Sequence, residues 1–273
     1  MLKENKQISI LGCGWLGLPL AKKLILEGYK IKGSTTSVDK LVILADEKIQ
    51  AYVITLNENS ILGEIDHFLE NSEILIINIP PKLRGITNEN FVSKIEKLIQ
   101  HIEKSEITKV IFVSSTSVYG NQNEQIEITE EILPNPETES GKQLLQTEQM
   151  LLSNTNFKTT VLRFGGLIGE DRHPVKHLVA KQNNDNPDAP INLIHQKDCL
   201  GIISKIIKDG IWEEVFNGVT PFHPTRKEYY SKKANELGII APVFNEKNEF
   251  PFKIISSQKL TTLLKYNFLK KEL

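Results

Sequence analysis

A short apolar run, Ile8-Ser9-Ile10-Leu11, ends in Gly12-Cys13-Gly14-Trp15-Leu16-Gly17 and leads at once into an apolar helical pattern, Leu18 to Leu26, closed by Gly28. Strand, Gly-x-Gly-x-x-Gly turn and helix in that order constrain the fold strongly, because each glycine meets a separate steric need. The first allows the tight turn, the second lets backbone approach a pyrophosphate, and the third lets the helix pack closely on the strand. The first helical turn then offers N–H groups without acceptors and a partial positive charge to an anion. The pattern predicts a dinucleotide-binding unit with Gly12, Gly14, Trp15, Leu16 and Gly17 against the cofactor.

The rest of the first half alternates strands and helices. Residues 29–34, 51–54, 73–79, 109–113 and 159–164 read as strands, and 91–102 and 139–152 as helices. The run 73–79 is almost continuously apolar, as a strand covered on both faces requires. Such alternation predicts an α/β fold, a Rossmann doubly wound parallel sheet. Beyond Gly169 the rhythm breaks: a strand at 191–194, a helix from Asp198 to Lys208, a last core strand at 214–219 and two tail helices near 226–237 and 257–264 are expected. The predicted division is a Rossmann domain of residues 1–169 plus about 195–220. Residues 170–194 and 221–273 form a small C-terminal substrate lobe over the carboxyl ends of the strands, where ligands bind in this architecture.

The bulk properties narrow the setting. A 273-residue chain that is 40% hydrophobic can bury a substantial core. The 33 basic and 34 acidic residues are spread without blocks, which argues against nucleic acid or an anionic membrane as partner. The longest apolar stretch, Ile74 to Ile79, is too short to span a bilayer. Two distant cysteines, Cys13 and Cys199, argue against a disulfide framework or a metal cluster. A cytoplasmic protein with a small-molecule substrate is expected.

The end of the second strand bears on which dinucleotide is held. NAD sites usually place an Asp or Glu there, on the ribose hydroxyls. Here the segment is Lys32-Gly33-Ser34-Thr35-Thr36-Ser37, with no acid. Hydroxyls at Ser34, Thr35 and Thr36, with Lys32 or Lys40 nearby, suit a 2′-phosphate, so NADP is favoured over NAD. Pro80, in Asn78-Ile79-Pro80-Pro81 at the end of the fourth strand, is expected to wall the cleft, and Ser114 to touch the cofactor.

After the strand at 109–113 comes Ser114-Ser115-Thr116-Ser117-Val118-Tyr119-Gly120. With the glycine loop and Leu162-Arg163-Phe164-Gly165-Gly166-Leu167-Ile168-Gly169, this resembles the extended short-chain dehydrogenase/reductases, the nucleoside-diphosphate-sugar epimerases and dehydratases. The resemblance runs from residue 5 to about 220. It implies that Ser115 stands at the catalytic serine or threonine, and that the loops after the strands at 161–164 and 191–194 supply substrate contacts. It also implies a sugar nucleotide as possible substrate, and a monomer or a homodimer paired through the helices bearing Phe91 and Ser140. The family's engine is a tyrosine followed four residues later by a lysine, which lowers the tyrosine pKa. Gly141 and Glu148 set the register, and it lays Ser140 on the tyrosine and Leu144 on the lysine. Lys142, two residues before Leu144, lies about 200° around the helix and faces elsewhere.

The remaining polar candidates lie later in the chain. Tyr119 and Arg172 are expected to contact substrate, Arg172 as a clamp for phosphate or carboxylate. His195, in Asn192-Leu193-Ile194-His195-Gln196-Lys197-Asp198, is expected to touch substrate and to act as a general base. The alternative is that His195 and Asp198 merely cap or orient the following helix. Two functions follow. One is an NAD(P)-dependent oxidoreductase or epimerase-like enzyme using Ser115, Ser140 and His195. The other is a non-catalytic NADP(H)-binding redox sensor or scaffold. A methyltransferase reading leaves the Ser115 cluster unexplained.

Overall fold

A computed structural model of the chain describes residues 6–81, 89–120, 127–181, 183–246 and 252–273. Seven strands form the central sheet: β1 (Gln7–Leu11), β2 (Lys30–Thr35), β3 (Gln50–Val53), β4 (Ile74–Ile77), β5 (Lys109–Ser115), β6 (Lys158–Phe164) and β7 (Val215–Gly218). Their spatial order is β7-β6-β5-β4-β1-β2-β3, with every neighbouring pair parallel. The strand order reverses between β1 and β4, and the carboxyl ends of such a pair open the crevice where ligands bind in open α/β sheets. All four residues of β4 are buried, matching its continuous apolar run.

Nine helices are described: α1 (Gly17–Leu26), α2 (Lys40–Asp46), α3 (Ile65–Leu69), α4 (Phe91–Ile102), α5 (Glu139–Leu152), α6 (Val175–Ala180), α7 (Gln196–Asp209), α8 (Arg226–Glu236) and α9 (Gln258–Thr262). One core, around α1 and α7, includes Leu20, Leu24, Ile202 and Ile206. The other, around α4 and α5, includes Phe91, Ile95, Leu98 and Leu144. Helices on both faces of a parallel sheet account for its doubly covered strands. No described helix is long and apolar enough to cross a membrane.

A third, smaller cluster defines the lobe. Ile168, Val175, Ile191, Leu193, Tyr229 and Tyr230 are buried together, with Phe244 and Leu273 packed against them. The tail does not follow the expected division. Leu260, Leu264, Tyr266 and Phe268 are buried in the α1–α7 core, and Ile255 in the other. Residues Ile254–Ile255 pair in parallel with Glu127–Ile128. The chain therefore leaves the large unit after β7, builds α8, and returns to it. Amphipathic spacing alone cannot say which core a tail helix joins.

Candidate functional site

The glycine loop sits where β1 ends. Gly12 has φ +102°, a conformation that favours glycine, and a Cβ there would stand 2.5 Å from the Asn78 carbonyl oxygen. A Cβ on Gly17 would stand 2.1 Å from the Gly12 carbonyl oxygen, so the helix start needs glycine. Gly14 differs: no protein atom lies within 4 Å of a Cβ built on it, and it lines a cleft of about 660 Å³. The loop is fixed from both sides. The Ser34 hydroxyl accepts from the Gly12 N–H at 3.0 Å, the Ser34 carbonyl from the Cys13 N–H at 2.7 Å, and Asn78 Nδ2 donates to the Gly12 carbonyl at 3.0 Å.

The helix after this loop is uncapped. Among the described helices of ten residues or more, α4, α5, α7 and α8 each have a side-chain cap: Asn90, Thr138, His195 and Thr225. α1 has none, and no acid in its first turn. Within its first turn the Leu18 and Leu20 N–H groups donate to the Gly14 and Leu16 carbonyls and Pro19 carries no N–H, so an anion here would meet the N–H of Gly17 and of the loop residues just before it.

The 660 Å³ cleft brings together Gly12, Gly14, Ser34, Thr35, Thr36 and Pro80, with Lys40 on its wall. Among the described residues that line it, the one acid, Glu89, is paired with Lys94. Lys32 does not take part. Its ammonium donates to the carbonyls of His67 and Glu70, the latter at 2.7 Å, closing the end of α3, and burial lowers its pKa. Of the two lysines considered, only Lys40 can face a ligand there. Leu16 has its side chain in the core and offers only backbone. The Cys13 thiol is buried, which pushes its pKa up to about 12 and makes it inert.

Three residues expected at the site are committed elsewhere. The Ser114 hydroxyl donates to buried Glu148 Oε1 at 2.5 Å and is not among the residues lining the 660 Å³ cleft. Tyr119 is 1% exposed, its hydroxyl held by Arg163 Nη1 at 2.6 Å and Asn217 Oδ1 at 3.1 Å. Burial raises its pKa, and it cannot reach substrate. The Trp15 indole faces the loop after β6, donating to Asp171 Oδ1 at 2.8 Å.

His195 is corrected in a different way. It is the N-cap of α7, its Nδ1 accepting from the Lys197 N–H at 3.1 Å. A backbone N–H can only donate, so neutral His195 carries its proton on Nε2. Burial and then Lys270 lower its pKa, which keeps it neutral. It therefore presents a donor, not a base, to a cleft of about 960 Å³ lined also by Arg172, Lys176 and Lys233. The capping alternative thus holds for His195 but not for Asp198, which is fully buried and accepts from the Tyr266 hydroxyl at 2.9 Å and from the N–H groups of Leu269 and Lys270.

Ser115 stands half-buried at the end of β5, its hydroxyl accepting from the Ser117 N–H at 3.2 Å to start the turn Thr116–Val118. A Cβ on Gly141 would stand 2.3 Å from the Ser117 carbonyl oxygen, so glycine is what lets α5 dock on that turn. Ser140, half-buried in the first turn of α5, is thereby brought beside it, whereas Leu144, one turn on, is buried in the core and Lys142 faces solvent. A residue that sequence reading passed over is Lys253, whose ammonium donates to the Tyr119 carbonyl at 2.6 Å and so braces the turn that follows Ser115. Only the return of the tail to the large unit places it there.

Residues 85–196 match the family model of the NAD dependent epimerase/dehydratase family. Over that segment the chain is similar to this family. Protein YeeZ of Escherichia coli strain K12 is 29% identical to it over 265 residues, 96% of each chain. Among solved structures, a UDP-glucose 4-epimerase of Thermotoga maritima superposes with a TM-score of 0.79 at 18% identity, covering 96% of this chain and 94% of its own. A UDP-glucuronic acid 4-epimerase of Bacillus cereus in complex with NAD gives 0.77 at 16% identity, with 96% and 91% covered. These structural likenesses show the Rossmann-type fold of the chain.

Proposed function

We propose that the chain binds a nicotinamide dinucleotide in the cleft at the carboxyl ends of β1, β2 and β4, with NADP(H) preferred over NAD(H). The observation that carries this is Gly14: a cradle that a Cβ would fill, on the cleft wall, before a helix whose N-terminus has no side-chain cap. The pyrophosphate would take the N–H groups of the glycine loop up to Gly17, and Thr36 and Lys40 would take the adenosine ribose and a 2′-phosphate. Among the described residues, the acid on the cleft wall is paired with lysine and not set toward ribose hydroxyls. Bound there, the nicotinamide ring supplies hydride transfer.

Ser115, at the carboxyl end of β5, would hold the oxygen of a small carbonyl compound or a sugar nucleotide, the substrate class of the T. maritima and B. cereus epimerases. Ser140 stands where the family's tyrosine is expected and Leu144 where its lysine is. Proton transfer therefore does not follow the tyrosine–lysine route. The second reading, a cofactor-binding protein without turnover, draws on the same two residues and on His195, whose Nδ1 is spent on the Lys197 N–H. Titration with NADPH and NADH by fluorescence tests the binding reading, which expects saturable binding with NADPH tighter; no response to either sinks it. Oxidation of NADPH by sugar nucleotides or small carbonyls, lost in Ser115→Ala with cofactor affinity kept, separates the enzyme from the sensor.

A further inference from the structure

The loop after β6 reaches the glycine loop. Gly169 and Arg172 close on each other through both backbone hydrogen bonds, at 2.8 and 3.2 Å, making a tight turn between them. That turn packs on Trp15, the residue after Gly14. A Cβ on Gly169 would stand 2.7 Å from Trp15 Cζ2, Asp171 takes the indole N–H, and the Arg172 guanidinium lies 4.9 Å from the ring centroid. Gln196 Nε2, at the start of α7, donates to the Trp15 carbonyl at 2.7 Å. Four groups from the region after β6 thus converge on one residue of the dinucleotide loop.

The consequence concerns charge. Stacking on an aromatic face uses the π surface and leaves the in-plane N–H groups of a guanidinium to other partners. Arg172 is exposed, its guanidinium over the ring of the residue that follows Gly14 in the glycine loop. We propose that Arg172, held by Trp15, is a binding residue for the pyrophosphate of the dinucleotide, so that the small lobe closes a site whose floor is the glycine loop. This rests on the dinucleotide reading and moves Arg172 from the substrate to the cofactor. A cation here complements the N–H groups of α1, since a pyrophosphate has more acceptor oxygens than one helix end can satisfy.

Calorimetric titration of the full chain with NADPH, NADH and ADP-ribose, each of which carries the pyrophosphate, tests it. Arg172→Met keeps an apolar stem on the indole and removes the charge. It is expected to weaken all three ligands about tenfold, the loss of one charge-assisted hydrogen bond. Arg172→Lys falls between, and the thermal midpoint is unchanged in both. Unchanged affinity in Arg172→Met overturns the inference. So does a loss confined to the two dinucleotides, which places the guanidinium at the nicotinamide end, or one confined to NADPH, which places it at the 2′-phosphate. Wild-type protein that binds none of the three overturns the dinucleotide reading itself.

Discussion

Arg163 and Glu148 form a bidentate ion pair in the interior, Nη2 to Oε2 at 2.6 Å and Nε to Oε2 at 3.0 Å, with side chains 6% and 1% exposed. Glu148 also accepts from Ser114, and Arg163 donates to Tyr119, so the pair ties the end of β5 to β6 and α5 beneath Ser115. Each charge is tolerated inside only because the other is present and the remaining donors and acceptors are filled.

Removing one partner therefore leaves a buried charge alone. Glu148→Ala is expected to lose about 3–5 kcal/mol of stability, read as a fall in the urea midpoint. The double variant Glu148→Leu with Arg163→Met is expected to be more stable than Glu148→Ala, because no charge is stranded. A double variant weaker than the single would mean that the pair itself, not the stranded arginine, sets the cost.

The three loop glycines separate folding from binding. Gly14→Ala meets open space, so its thermal midpoint stays near wild type while NADPH binding is lost or much weakened. Gly17→Ala meets the Gly12 carbonyl and is expected to lower the midpoint before any ligand is added. Equal destabilisation by the two changes would contradict the separate roles.

How far these roles were legible depends on what each rests on. The turn at Gly12-Gly14-Gly17 is a local matter of strand, φ and helix, and all three can be read from neighbours in the chain. So can β4, whose apolar run has no polar face to hide. Side-chain direction at strand ends is another matter. Ser114 and Ser115 alternate across the strand, and nothing in their spacing says that Ser114 meets Glu148 from α5 while Ser115 starts the turn Thr116–Val118. Tyr119 turns inward because Arg163 and Asn217, distant in sequence, wait for its hydroxyl. Asp198 reads as a helix cap until the tail donors of Tyr266, Leu269 and Lys270 are placed beside it. Short helices such as α3 and α6 carry too few turns to show a period.

Acid should weaken the small lobe. His173 accepts from the Val175 N–H at Nδ1 and meets the Tyr229 hydroxyl through Nε2 at 2.9 Å. Burial, reinforced by Lys233, lowers its pKa to about 4 from 6.5. The unfolded chain then binds the proton more readily, so stability is full above about pH 6.5 and is lost as pH falls from there toward 4. His173→Asn keeps an acceptor for the helix start without titrating in this range. Its urea midpoint is expected to change less between pH 7 and pH 5 than that of wild type, and an equal change would remove His173 as the source.

Asp198 is the clasp of the returning tail. Its two carboxylate oxygens satisfy the Tyr266 hydroxyl and two backbone N–H groups, all from residues 266–270, while Tyr266 lies against Gly201 so tightly that a Cβ there would stand 2.3 Å from the hydroxyl oxygen. Asp198→Ala orphans these donors at a cost of about 1–3 kcal/mol each where they stay buried. The tail can avoid that cost by detaching into water, which exposes the Lys265 and Lys270 bonds. Limited trypsin digestion of Asp198→Ala is therefore expected to remove the last residues of the chain well before the wild type is cut, with the remaining core still folded by circular dichroism. Because Lys253 reaches the Ser115 turn from the same returning segment, closer to the anchor at Asn192, its contact should survive that cut. Loss of the whole segment from residue 252 would instead show that Asp198 holds the entire return path.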